Sequence, residues 1–309
     1  MPFWKLLLLN AYYHASLPIR LAMHKVWSAM DRVPISILYY HCMTDRPRAP
    51  WMMSNGQFVE QITWLQRHFD LISLAEAQRR IRSGKNHRPA VAITFDDGYS
   101  ENCEQAIPLL IERNIPCTYF VTLENIVQGL PFEHDLKNGW DFAPNTIEQV
   151  RAMAAAGIEI GAHTCTHCDL GRVTDTSILG TELLYARKEL ENLLDTRIRF
   201  FSFPFGQREN LTNAAFSYAA RAGYDAVCSA YGALNFPGDD AFHLQRVPAT
   251  EEFICVKNWV TADPRKIWIP RFAYSIVEDN GCSSPVAGSA VAVSAMAATL
   301  PMQLTHAEH

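Results

Sequence analysis

The stretch Ala92-Ile93-Thr94-Phe95-Asp96-Asp97-Gly98-Tyr99 ends an apolar run in two adjacent carboxylates and a glycine. Two acids side by side after a buried strand repel one another unless a cation or a basic group neutralises at least one of them. A divalent metal meets that need, while the plainer reading makes Asp97-Gly98 an ordinary turn and Asp96 a helix cap. A second stretch, Gly161-Ala162-His163-Thr164-Cys165-Thr166-His167-Cys168, carries two histidines four residues apart, a spacing that turns both imidazoles toward one ion. Asp97 as a third ligand would leave a coordination position open for water, as a catalytic site requires. Cys165 and Cys168 also fit a structural zinc knuckle or a redox pair. No second Cys-x-x-Cys accompanies them.

The third stretch is Arg199-Phe200-Phe201-Ser202-Phe203-Pro204-Phe205-Gly206, a strand followed by a Pro-x-Gly turn. Its arginine could fix the orientation and ionised state of a nearby carboxylate through paired hydrogen bonds, or simply mark the exposed start of a buried strand. Phe205 and Gly206 would wall the mouth that such strand ends share.

The three stretches resemble, in order, the Thr-Phe-Asp-Asp-Gly, His-(Ser/Thr)-x-x-His and Arg-x-Phe-x-x-Pro-x-Gly motifs of the polysaccharide deacetylases, carbohydrate esterase family 4, over about residues 34–250. The resemblance implies a seven-stranded (β/α) barrel, a zinc or similar divalent ion, and hydrolysis of an N-acetyl group from an amino sugar. It makes Asp96 the catalytic base, Asp97, His163 and His167 the metal ligands, and Arg199 the partner of Asp96. The general acid departs from the common pattern, because Phe242-His243-Leu244-Gln245-Arg246-Val247-Pro248 does not match the family's late Leu-x-x-His-type motif. Tyr39-Tyr40-His41 is similar to the Tyr-His of a subgroup with rearranged motifs, so His41 is favoured as acid over His243. Tyr99, Pro204, Phe205, Gly206 and Arg246 are the residues expected to meet substrate, with backbone N–H groups near Tyr99 or Phe205 as oxyanion donors and Arg246 as a further brace for Asp96 or Arg199. The insertion at 129–142, with His134, Asp135 and Trp140, reads either as a substrate-shaping loop or as plain surface.

Such residues need strands to carry them to one edge. Short apolar runs at 35–40, 69–72, 90–95, 117–122, 158–162, 198–203, 225–229 and 244–247 alternate with helical patterns at 57–68, 74–82, 101–113, 146–156, 178–194 and 211–222. Repeated β–α units predict an α/β fold with right-handed crossovers, and the absence of a glycine fingerprint after the first strand favours a (β/α) barrel of seven or eight strands over a doubly wound sheet, which the resemblance narrows to a distorted barrel of seven. The predicted division is an amphipathic helical segment at 1–33, a catalytic domain at 34–265 and an Ala/Ser-rich extension at 266–309.

Acidic residues (32) outnumber basic ones (27), so no general positive field attracts nucleic acid. Eight cysteines in 309 residues are too few for a disulfide scaffold and are expected reduced. The opening apolar run Leu6-Leu7-Leu8-Leu9 is short for an export signal, which predicts a cytoplasmic protein. Residues 1–30 hold Lys5, Arg20 and Lys25 among Trp4, Leu21, Met23 and Trp27 with no acid, a pattern suited to a membrane surface or to packing on the domain itself. A cytoplasmic site with such a start favours a lipid-linked or nucleotide-linked sugar over mature polymer. A metal amidohydrolase acting on a small non-sugar amide and a non-catalytic sugar-binding protein are the rival readings.

Overall fold

A computed structural model describes residues 1–46, 49–277 and 283–284. The ring of parallel strands is built from β1 (Ile35–Tyr40), β3 (Ala90–Phe95), β4 (Cys117–Val121), β5 (Glu159–Ala162), β6 (Phe200–Ser202), β7 (Ala226–Ser229), β8 (His243–Gln245) and β9 (Val247–Pro248), with β2 (Asp70–Ile72) beside the first half of β3. The distorted (β/α) barrel is therefore present, with eight strands in the ring rather than seven. The extra strand arises because the predicted strand at 244–247 breaks at Arg246: residues before the break pair with β7, and those after it pair with β1 and close the ring.

Side chains alternate across each strand, so every second residue enters the barrel. Ile35, Ile37, Ala90, Ala92, Phe200, Ala226, Cys228 and Leu244 form one buried cluster inside it, closed below by Leu74, Ala77 and Ile81 of the helix Leu74–Ser83. Continuing the same faces upward brings Tyr39, Thr94, Asp96, Ser202 and Arg246 into the next layer. The interior thus changes from apolar to polar toward the C-terminal strand ends, where sites of such folds are built. Residues of the opposite faces, such as Leu38, Tyr40, Ile93 and Phe201, pack in a larger core beneath the surrounding helices.

Most helices follow the predicted pattern. Ser54, Ser73, Thr146 and Thr212 cap their starts through side-chain oxygens. The predicted helix at 101–113 instead divides into a 3-10 turn, Ser100–Cys103, and a helix, Ala106–Glu112. Pro108 explains the restart, since its missing N–H is tolerated only within a first turn. The helical stretch that begins at Thr176 and ends at Leu194 contains a π-helical segment, Gly180–Tyr185.

The N-terminal helix, Phe3–Ala29, packs along the barrel against the helix Phe253–Val260, burying Tyr13, Ser16 and Arg20. Arg20 donates to Ser16 Oγ, to the carbonyl and Oδ1 of Asn258 and to Thr261 Oγ1, so one of the three predicted surface cations faces inward. No helix among the described residues is long and apolar enough to cross a membrane. The seven described cysteines are all free. The expected C-terminal extension lies mostly outside the described residues.

Candidate metal centre and active-site cleft

Register brings the chemistry to one rim. Tyr40 pairs with Phe95, so His41 and Asp96 follow together, and the Asp96 amide donates to the Tyr40 carbonyl at 2.9 Å. Val121 pairs with Ala162, and the next amide, that of His163, donates to the Val121 carbonyl. Backbone conformation then aims the side chains. Asp97, Thr164, His167 and Phe205 all adopt positive φ between 60° and 73°, a costly state for residues with a Cβ and one that clusters at functional sites. Gly98, at φ 91°, is the turn that lets both acids face inward, and a Cβ there would meet Val121 Cγ1 at 3.2 Å.

Asp97, His163 and His167 converge, with Asp97 Oδ1 3.3 Å from His163 Nε2 and 3.2 Å from His167 Nε2. His163 Nδ1 lies 2.8 Å from the carbonyl of Ser202, which can only accept. With Nδ1 turned to that carbonyl, Nε2 is the ring nitrogen that faces the carboxylate. Asp97 Oδ1 is buried without a hydrogen-bond partner. One carboxylate and two imidazole nitrogens that face one another across a buried gap are a ligand set that suits a zinc ion between them. Burial opposes ionisation of Asp97, but His163, His167 and His41 hold its carboxyl well below the usual carboxylate range. Cys165 and Cys168 stay out of this cluster.

Asp96 sits beside the triad and is bound differently. Arg246 Nη1 and Nη2 each donate to one of its oxygens at 2.7 Å, and Arg246 also donates to Thr94, Ser202 and the Ser229 carbonyl. Its guanidinium lies over the Tyr39 ring, 4.9 Å from the centroid. Burial pushes Asp96 upward, yet the Arg246 charge and hydrogen bonds, with His163, keep it below its ordinary value. This corrects the expectation for Arg199. That residue precedes β6 at the far end of the barrel and binds Asp225 and Glu159. Phe200 is the inward residue there, so Arg199 points outward and three residues short of the rim.

A cavity of about 300 Å3 opens over the centre, lined by Tyr39, His41, Trp51, Asp96, Asp97, His134, His163, His167, Phe205 and Ala230. It joins a groove of about 360 Å3 that shares His134, His167 and Phe205. His41 faces this cavity, and burial holds its pKa below the ordinary value against the opposing charges of Asp97 and Asp96. His243 does not line it: its Nε2 meets Ser229 Oγ at 2.8 Å and burial drives its pKa down to about 3. Phe205 stands on the rim, more than half exposed, while Pro204 and Gly206 shape the turn behind it. A Cβ on Gly206 would come within 2.8 Å of the Ala230 amide nitrogen.

Tyr99 departs from its expected contact with substrate. It is fully buried, donates to Asp135 Oδ2 at 2.9 Å and anchors the insertion from beneath. The insertion in turn supplies His134 to the cavity, against Trp51. Trp51 was missed in the sequence; the signal was the long loop between β1 and the helix Asn55–His68, which connects two elements at the mouth. Asn102 was missed as well. It donates to the His41 carbonyl and accepts from the Met43 amide, fixing the backbone on both sides of the strand end. Glu182, on the π-helical segment, accepts from the amides of Cys165 and Thr166 and from the Thr166 hydroxyl, and so braces the loop that bears both histidines. Single-turn π segments often occur at such sites.

Residues 83–227 match the family model described as polysaccharide deacetylase. YxkH of Bacillus subtilis (strain 168), classed among the polysaccharide deacetylases, is 27% identical over 194 residues, which is 62% of this chain and 62% of that protein. The match thus spans about three-fifths of that relative. Among solved structures, the Streptococcus pyogenes deacetylase PplD in complex with acetate superposes with a TM-score of 0.62 at 19% identity, covering 74% of this chain and 98% of the other. IcaB from Ammonifex degensii gives the same TM-score at 24% identity, covering 74% and 97%. Both share the fold.

Proposed function

We propose that the protein, whose residues 83–227 match the polysaccharide deacetylase family model, is a metal-dependent hydrolase that removes an N-acetyl group from an amino sugar of a polysaccharide or lipid-linked saccharide. The observation that carries this reading is the juxtaposition of Asp97, His163 and His167 with a separate carboxylate, Asp96, that an arginine holds ionised. A binding module needs no such base beside a metal site.

Asp97, His163 and His167 would hold the cation, which we take to be zinc. When bound, a divalent ion polarises the substrate carbonyl and lowers the pKa of water toward ~7. Asp96 takes the proton of the attacking water: Arg246 and Ser202 fix the carboxylate plane, and a carboxylate has enough lone pairs to accept a further hydrogen bond from the cavity side. His41, on the cavity wall with Asp96 and Asp97, gives a proton to the leaving nitrogen. The Phe205 backbone N–H is the candidate oxyanion donor, and the Phe205 ring with Trp51 offers apolar faces for a sugar.

Acetate release from a panel of acetamido sugars, before and after chelation, tests the proposal. Release that ends on chelation and returns with metal is expected; activity on simple amides but on no acetamido sugar would overturn the substrate class. Element analysis should find one divalent ion per chain, lost in Asp97→Asn and His167→Ala. Full metal content in both variants would remove the triad as the binding site. His41→Ala should lower turnover by about 10²- to 10⁴-fold with metal content unchanged. A larger loss in His243→Gln than in His41→Ala, at equal thermal stability, would transfer the acid role.

A further inference from the structure

The N-terminal helix has two apolar sides and only one of them is used. Tyr13, Ser16 and Arg20 mark the side packed on the domain. On the opposite side Trp4, Leu7, Leu8, Ala11, Ala15, Ile19, Ala22 and Val26 fall within one helical stripe, all exposed. No acidic residue occurs before Asp31, and with Arg20 turned inward Lys5 and Lys25 are the charges that remain outside. The rest of the chain is acidic enough to give the whole a net charge of −5.

A second feature flanks the helix at Tyr12. The run Pro264-Arg265-Lys266-Ile267-Trp268-Ile269-Pro270-Arg271 exposes Trp268 to 86%, the highest value among the described large apolar residues. It is tied to the helix where Tyr12 donates to Asp263 at 2.7 Å and the Arg265 guanidinium covers the Tyr12 ring, and it reaches the mouth loop where Arg208 donates to the Pro270 carbonyl. The Trp4 end of the helix also lies at the mouth end of the barrel, because the Met1 amino group pairs with Glu252, four residues beyond β9.

We infer that the outer stripe of the N-terminal helix and the Trp268 segment form one docking surface for an anionic phospholipid bilayer. Exposed aliphatic residues enter the acyl boundary, Trp4 and Trp268 sit at headgroup level, and Lys5 and Lys25 meet the lipid phosphates. Docked in this way, the barrel lies alongside the bilayer, with the Trp4 end of the helix placing its mouth next to the surface. That arrangement suits a saccharide carried on a lipid, a clause that rests on the hydrolase reading; the docking itself does not.

Co-sedimentation of the full chain with phosphatidylcholine vesicles, with and without phosphatidylglycerol, tests the surface without measuring turnover. Wild type should partition to the mixed vesicles, less so at high salt. The double variant Leu7→Glu/Leu8→Glu should bind roughly tenfold or more weakly, as two buried leucines are lost. Trp268→Ala, at a site that packs on little, should bind measurably more weakly while keeping the wild-type unfolding temperature and metal content. No sedimentation of wild type with mixed vesicles overturns the inference, as does binding that neither variant weakens. A concentration-dependent dimer lost in the double variant, without vesicle binding, would overturn it in favour of a second copy.

Discussion

Asp96→Asn is expected to lower acetate release by roughly 10²- to 10⁴-fold, the range typical of a removed general base, while leaving the bound metal in place. The two acids of this pair hold different jobs because their neighbours differ. Asp97 faces the ring nitrogens of His163 and His167, whereas both oxygens of Asp96 are taken by Arg246. An amide at position 96 keeps the shape and one acceptor oxygen but cannot take a proton at neutral pH. It also leaves the buried guanidinium without its counter-charge, so thermal unfolding must be measured alongside, and activity compared at a temperature where both proteins are folded. Full metal occupancy with lost turnover supports the base. Equal turnover in the variant would remove Asp96 from that role, and loss of the metal would make it a ligand.

The second large effect separates two arginines. Arg246→Met should destabilise the protein by about 3–5 kcal/mol, the usual consequence of stranding one member of a buried pair, and should abolish turnover at neutral pH. With Arg246 present, the folded-state pKa of Asp96 lies below its unfolded value. The ionised carboxylate therefore adds stability that is complete above pH ~4 and is lost as pH falls through the folded-state value. Without Arg246, only His163 and His41 oppose burial, so the Asp96 pKa is expected to rise above its unfolded value, the sign to reverse and acidification to relieve the variant. Arg199→Met, in contrast, breaks partly exposed pairs with Asp225 and Glu159 and should cost about 0–1 kcal/mol, with kcat unchanged. Denaturant melts of both variants across pH, with kcat at neutral pH, check this. A large kcat loss in Arg199→Met together with an active Arg246→Met would overturn the assignment.

The sequence resolved the triad because its information is local. Asp97, His163 and His167 each follow an apolar run by one to five residues, and parallel strands bring residues just past their ends to a common rim whatever the details of register. The same logic carried His41, one residue beyond β1, and Phe205, on the turn after β6. The fold class was legible for a similar reason, since continuous apolar strands alternating with capped helices leave few alternatives.

What spacing could not supply was which side of a strand each residue occupies and what arrives from afar. Arg199 and Arg246 are both arginines next to short strands. Only the inward position of Phe200 and Leu244 shows that the first points out and the second in, and a shift of one residue would exchange them. Ring closure then decides the rest. β8 and β9 complete the barrel between β7 and β1, which carries Arg246 across 150 residues of chain to Asp96. Trp51, His134, Asn102 and Glu182 likewise act through contacts between loops whose separation along the chain hides them. Residue identity fixed the chemistry available to this protein; the pleat of the strands and the closure of the ring selected which of those residues meet.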